Sequence, residues 1–347
     1  MSELRRDPLR GRWVVIDPEQ PVRPEMFLKK AQGSGDAGEH CPLCQGNESI
    51  QGPQLYYACG YGLEKSGRDS CVKVIPNGRP LLRVERELTR HAKGPYDLVA
   101  GVGAHEVIIE TPDHGVRMED QKEEAIAQVF TAVRVRMADL RNDVRLRYHL
   151  FFEQEGRETG ARFNHSHSQI LATPETPPFI QTEIKNAREH FLARERCLLC
   201  DLLNYERESG ARLVAENSKF AAIAPYASAR PFELWLMPKR HCHDIVDSVC
   251  EDVRELAFLL KDMLLRLKSA LDGPPYTMML VNSPSPHYPP GRQDEWSMLP
   301  HFFHWRLTLV PRVTALTALD WDAGLPVNPV APERAAEYLR SLGGVAR

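Results

Sequence analysis

The same succession of segments occurs twice in this chain. Cys41-Pro42-Leu43-Cys44 is followed by strand-like runs, the last of which, His105 to Glu110, ends in Thr111-Pro112-Asp113-His114. An amphipathic stretch, a strand from Tyr148 to Phe152 and a strand bearing His165 complete the set. Cys197-Leu198-Leu199-Cys200 then opens it again. A strand, Phe232 to Met237, ends in Pro238-Lys239-Arg240-His241, and a second amphipathic stretch, a strand from Tyr276 to Val281 and a strand bearing His304 follow. A repeated order of this kind implies two like units, and 347 residues suffice for each to bury its own core. The two amphipathic stretches read as helices. Ile126, Val129, Phe130, Val133, Met137 and Leu140 in the first, and Val253, Leu256, Leu260, Met263, Leu264 and Leu267 in the second, recur at the helical period and predict one buried stripe each. Between the repeats, Pro174 to Arg196 opens with Pro174, Pro177 and Pro178 and continues as a polar, helical linker, which places the boundary between domains 1–180 and 181–347.

Hydrophobic residues make up 42% of the chain, charged residues 26%, and the formal net charge is -3. That is an ordinary globular composition, without the basic excess that non-specific nucleic-acid binding needs. The charged N-terminus and the absence of a long uncharged apolar run predict neither signal peptide nor membrane span, and a cytoplasmic protein. In such a setting, two Cys-x-x-Cys pairs among eight cysteines favour metal over cystine, with Cys59, Cys71, Cys242 and Cys250 as unpaired thiols.

Two cysteines and two histidines are a common tetrahedral set for zinc. The first repeat offers Cys41, Cys44, His114 and His165; the second offers Cys197, Cys200, His241 and His304, with His243 and His301 competing for the histidine roles. A thioredoxin-like redox reading would need a βαβ setting with the pair at a helix start, and neither pair is expected to have one. Two closed four-ligand zinc sites per chain, structural rather than catalytic, are the expectation.

The chemistry is expected in Asn164-His165-Ser166-His167-Ser168-Gln169-Ile170-Leu171. As a strand, this segment puts His165, His167 and Gln169 on one face, about 7 Å apart in succession. One imidazole can then hold a metal while the other, His167, attacks phosphorus to form a nucleotidyl-histidine that a second acceptor discharges, giving ping-pong kinetics. Backbone amides of the Gly156 to Gly160 loop and the Gln169 amide would meet the developing charge. In the second repeat the residue two beyond His304 is Arg306, so that half lacks a nucleophile and reads as scaffold and part of a substrate wall. A zinc-stapled binding protein without covalent chemistry is the rival reading.

These residues, with the opening Asp7-Pro8-Leu9 and both Cys-x-x-Cys pairs, resemble the galactose-1-phosphate uridylyltransferases of the histidine-triad superfamily over nearly the whole chain. The resemblance implies an α+β fold of two tandem histidine-triad-like domains, each an antiparallel half-barrel sheet with packed helices, assembled as a homodimer. It implies that a nucleoside-diphosphate sugar and a sugar 1-phosphate are the substrates, with His165 on zinc, His167 as nucleophile and Gln169 hydrogen-bonded to phosphate. Arg23, Asn77, Gln154 and Gly160 fall at its substrate-binding positions. Many of these enzymes have His-Pro-His-Gly-Gln, however, whereas Ser166 and Ser168 stand at the intervening positions here. That form, together with the second zinc set, is similar to an ADP-glucose phosphorylase branch in which the same histidine chemistry passes AMP to phosphate.

Overall fold

A computed structural model describes residues 3–10, 13–16, 41–44, 47, 53–59, 71–287, 296–315, 318–321 and 323–343. Arg23, the expected strand's surroundings at Pro18 to Pro24 and the Gln32 to Gly38 loop lie outside the described residues.

The repeat is realised in the sheet. Strands β1 (Glu3–Arg6) and β2 (Trp13–Ile16) form a small separate sheet with the late strand β15 (Val327–Asn328). The first half then supplies β3 (Tyr56–Cys59), β4 (Cys71–Pro76), the hairpin β5 (Arg90–Lys93) and β6 (Tyr96–Val99), β7 (Ala104–Ile109), helix α1 (Glu123–Leu140), β8 (Tyr148–Glu155) and β9 (His167–Thr173). Helices α2 (Pro178–Arg194) and α3 (Leu198–Ser209) lead into the second half: β10 (Leu213–Glu216), β11 (Phe220–Ile223), β12 (Leu234–Pro238), helix α4 (Cys250–Leu271), β13 (Tyr276–Val281) and β14 (Arg306–Pro311). Ten of these strands make one antiparallel sheet in the order β10-β11-β12-β14-β13-β8-β9-β7-β4-β3. Within each half the fifth strand lies between the third and the fourth, and the halves meet edge to edge through their fourth strands, β8 and β13. Joining at those edges leaves neither half with an exposed backbone edge at the seam.

α1 and α4 occupy the same place in each half, between the third and fourth strands, and pack together over one face of the sheet. All six predicted apolar positions of each are buried there, against Ile108, Phe151, Ile170, Met278, Leu280 and Leu307. The linker is more than a connection. α2 lies on the opposite face, where Ile180 and Ala187 pack with Tyr148, Val281 and Phe302, and it buries Glu183 between two arginines. Three prolines fix where this helix begins, Pro178 standing at its first position where no backbone N–H is needed.

Candidate active site and metal centres

Two side-chain clusters gather residues from distant parts of the chain. Cys41, Cys44, His114 and His165 bring four ligand atoms within 4.8 Å of one another, as do Cys197, Cys200, His241 and His304. The Cys44 sulfur is 3.4 Å from His114 Nδ1 and 3.6 Å from His165 Nδ1; the Cys200 sulfur is 3.3 Å from both His241 Nδ1 and His304 Nδ1. A tetrahedral ion with Zn–S near 2.3 Å and Zn–N near 2.0 Å has S···N edges of roughly 3.5 Å. Both clusters have that size. Three of the four remaining ring nitrogens are also committed: His165 Nε2–H donates to the Thr111 carbonyl at 2.8 Å, His241 Nε2–H to Pro300 at 2.8 Å and His304 Nε2–H to Pro238 at 3.0 Å. Each of these bonds fixes the tautomer that leaves Nδ1 free to bind a cation. The competing histidines are turned elsewhere, His243 toward Asp247 at 3.7 Å and His301 stacked on Phe191.

The first cysteine pair sits on a turn closed by Cys44 N–H to the Cys41 carbonyl. The second departs from expectation, because Cys197 is the N-cap of α3 and the pair does lie at a helix start. The setting remains an antiparallel sheet rather than a βαβ unit, and the shared hydrogen bond with Cys200, with further ones from His241 and His304, holds the Cys197 thiol well below its usual range. Such a thiolate suits a cation.

The expected strand through Asn164 to Leu171 is shortened. β9 begins at His167, and His165 precedes it, drawn toward Thr111 and the cysteine turn. His167 and Gln169 still share a face, and Phe152 of β8 pairs directly with Gln169. His167 Nδ1–H donates to the His165 carbonyl at 2.7 Å, which leaves Nε2 as the atom carrying the lone pair. Burial lowers the affinity of this imidazole for a proton, so the ring is neutral at neutral pH. Phe163 packs edge-on against it, with ring centroids 6.0 Å apart. The Cys2His2 cluster and His167 are therefore joined through one residue, whose ring belongs to the first and whose carbonyl orients the second.

Ser166 and Ser168 point away from this face. The Ser166 hydroxyl donates to Glu110 Oε2 at 2.6 Å, and Ser168 is fully buried opposite Glu153 of β8. Glu153 in turn accepts from the Tyr276 hydroxyl at 2.8 Å, across the seam between the halves. Burial pushes Glu110 up to about 7 and Glu153 well above the usual carboxyl range. Both serines, which distinguish this chain from the His-Pro-His-Gly-Gln form, thus face a carboxyl layer beneath β9.

Gly160 adopts φ +94, open to glycine without strain, and a Cβ there would meet Gln154 Nε2 at 3.1 Å. The Gln154 amide nitrogen donates to the Thr159 carbonyl, which ties this loop to β8. Arg162 is exposed. Asn77 Nδ2 donates to Gln169 Oε1 at 3.4 Å and lies beside His105. His105, Glu110 and Glu183 were not singled out by sequence. Alternation gave a signal for Glu110, since with Glu106 and Ile108 it falls on the core side of β7, where an acidic residue needs a partner.

The family model for the N-terminal domain of galactose-1-phosphate uridyl transferase matches residues 84–177, and that for the C-terminal domain matches residues 183–309. An ADP-glucose phosphorylase of Arabidopsis thaliana is 31% identical over 98% of this chain and 93% of its own. The chain belongs to the galactose-1-phosphate uridylyltransferase family. A galactose-1-phosphate uridylyltransferase of Thermotoga maritima is 28% identical over 98% of both chains. The solved structure of an Arabidopsis thaliana ADP-glucose phosphorylase with bound ADP-glucose superposes with a TM-score of 0.80 at 27% identity, covering 98% of this chain and 99% of that one. As a member of this family the chain is a nucleotidyltransferase, and the α+β expectation of two like halves holds. No helix among the described residues is long and apolar enough to cross a membrane.

Proposed function

We propose that this protein transfers a nucleotidyl group from a nucleoside-diphosphate hexose through a covalent histidine intermediate, in the uridylyl version from UDP-glucose to galactose 1-phosphate. His167 Nε2 attacks the α-phosphorus, an N–P bond forms, and glucose 1-phosphate leaves with the electrons of the P–O bond. A phosphate oxygen of galactose 1-phosphate then attacks the same phosphorus, the N–P bond breaks, and UDP-galactose departs. Gln169 donates to a non-bridging oxygen of the α-phosphate as charge grows there. The reading rests on one observation above the others: a neutral imidazole whose Nδ1–H is held by the His165 carbonyl beside the Gln169 amide. The metal in both clusters is taken as zinc. Four protein ligands would leave it no open position, so its part would be to fix His165 in the first cluster and to tie the α3 start to His241 and His304 in the second. Arg23, Asn77, Gln154 and Gly160 are assigned to substrate by family resemblance, and the active assembly to a homodimer.

A second reading keeps the mechanism and transfers AMP from ADP-glucose to phosphate. The full-length similarity to an ADP-glucose phosphorylase favours it. Intact-protein mass after brief incubation with UDP-glucose or ADP-glucose separates the two. A UMP-sized adduct on the wild type and none on His167→Ala is the expected result; an AMP-sized adduct selects the second reading, and no adduct with either removes the covalent mechanism.

A further inference from the structure

His105 is a buried histidine of β7 that neither the metal clusters nor the nucleophile employs. Its surroundings determine its proton. The Leu81 backbone N–H points at His105 Nδ1 at 3.2 Å, and a backbone N–H only donates, so Nδ1 is the acceptor. In a neutral ring the proton then sits on Nε2. Nε2 lies 2.8 Å from Gln169 Oε1 and so donates to it. Asn77 is oriented by the same kind of evidence: the Arg79 backbone N–H donates to Asn77 Oδ1 at 2.9 Å, so Asn77 Nδ2 is the end that faces Gln169 and donates to Oε1 at 3.4 Å. The 3.2 Å approach of Asn77 Nδ2 to His105 Nε2 is then two donors converging on one oxygen rather than a bond between them. Two backbone amides, through two side chains, commit the Gln169 oxygen. The amide end left over is the NH2 group, which carries hydrogens and no acceptor.

We infer that His105 is a positioning residue for the transfer reaction, a fixed Nε2–H tautomer that turns the Gln169 amide so that its NH2, not its oxygen, meets the phosphate of the substrate. A flipped Gln169 would present a carbonyl oxygen to an anion and repel it. Burial keeps His105 from taking a second proton, which would set an Nδ1–H against the Leu81 N–H. The inference deepens the proposed function and rests on Gln169 acting on phosphate.

Two substitutions separate the halves of the ring's role. His105→Asn keeps an acceptor near Leu81 N–H and removes the donor to Gln169; His105→Gln restores an N–H near the Nε2 position. In single-turnover formation of the nucleotidyl-enzyme, His105→Asn is expected to slow the step roughly 10- to 100-fold, the scale at which outer-sphere partners act, with KM changed far less than kcat. His105→Gln should recover most of the rate. His105→Asn combined with Gln169→Ala should be no slower than Gln169→Ala alone, since the two act in series. A wild-type rate in His105→Asn, or a loss that adds in full to that of Gln169→Ala, overturns the inference. A wild-type rate in Gln169→Ala instead removes the reading of Gln169 on which it stands, which tells the two failures apart. Neutron diffraction from the unsubstituted protein reads the proton without any variant: deuterium on Nε2 supports the assignment, and on Nδ1 refutes it.

Discussion

The first and second halves share their strand order, the place of their long helix and a Cys2His2 cluster, and differ two residues beyond the last clustered histidine. There the first half has His167 and the second has Arg306. Arg306 is fully buried, donates to both oxygens of Glu183 at 3.0 and 2.7 Å, and lies 4.4 Å from the centroid of the Trp235 ring. Glu183 is also held by Arg10 at 2.9 Å. Burial alone would raise this carboxyl, but the two arginines outweigh it and keep Glu183 ionised. One scaffold position therefore carries a neutral ring in one half and a permanent charge under α2 in the other. What separates them is cover: α2 lies over the second position and brings its counter-ion with it.

The contrast predicts opposite consequences for matched substitutions. His167→Ala should lower turnover by a factor on the order of 10^6, as loss of a covalent nucleophile does, with little change in thermal unfolding. Arg306→Leu should cost about 3 kcal/mol of stability by leaving Glu183 with one arginine in a buried site, while the folded fraction still forms the nucleotidyl-enzyme. Denaturant titration paired with adduct mass checks both, and an active-site loss in Arg306→Leu would show that the second half takes part in the chemistry.

The two Cys2His2 clusters should also respond differently to loss of a ligand. Cys44→Ser and Cys200→Ser should each remove one equivalent of zinc per chain, measured by elemental analysis, and each lower the unfolding temperature. Only Cys44→Ser should also slow adduct formation in protein that remains folded, because the His165 carbonyl that orients His167 belongs to the cluster in the first half alone.

The carboxyl layer gives a pH signature. Glu110 titrates near 7 when folded, against an ordinary 4.5, with burial as the main cause. A carboxyl raised by folding is bound more tightly to its proton in the native state, so its burial costs nothing below about pH 4 and progressively more as pH rises through 7. Glu110→Gln, which can still accept from Ser166, should match the wild type near pH 4 and exceed its stability by roughly 3 kcal/mol at pH 8. An equal difference at both pH values would mean that Glu110 is not the titrating group. The smallest effect is expected from Ser168→Gly. Because Ser168 faces away from His167, the ratio of UMP to AMP adduct should stay within about twofold of the wild type; a larger change would mean that the buried face helps choose the base.

Much of this architecture was legible in the residues. The three-and-four spacing of apolar positions located α1 and α4, and all eight clustered cysteines and histidines followed from the repeat, because sulfur and imidazole at matched places have few other uses. Other features were not legible. The polar stretch after Pro178 reads as solvated linker, since nothing local to Glu183 indicates that Arg10 and Arg306 will meet it from 173 and 123 residues away. That the Gln154 nitrogen ties β8 to the Thr159 carbonyl is likewise not visible in the residue order. His105 reads as one more polar residue on a strand.

Residue type and order alone supplied the chemical groups: two Cys2His2 sets, a histidine two residues beyond one of them, and an arginine at the matching place in the second half. Those are properties of residue type and order, which survive any arrangement of the backbone. Only the tertiary structure decided how the halves join into one sheet, which side Ser166 and Ser168 serve, and which ring nitrogen or amide end faces the phosphate. A strand shows alternate side chains to opposite faces, and a hydrogen-bonded ring takes its tautomer from a neighbour, so these choices belong to contacts between segments far apart in the chain.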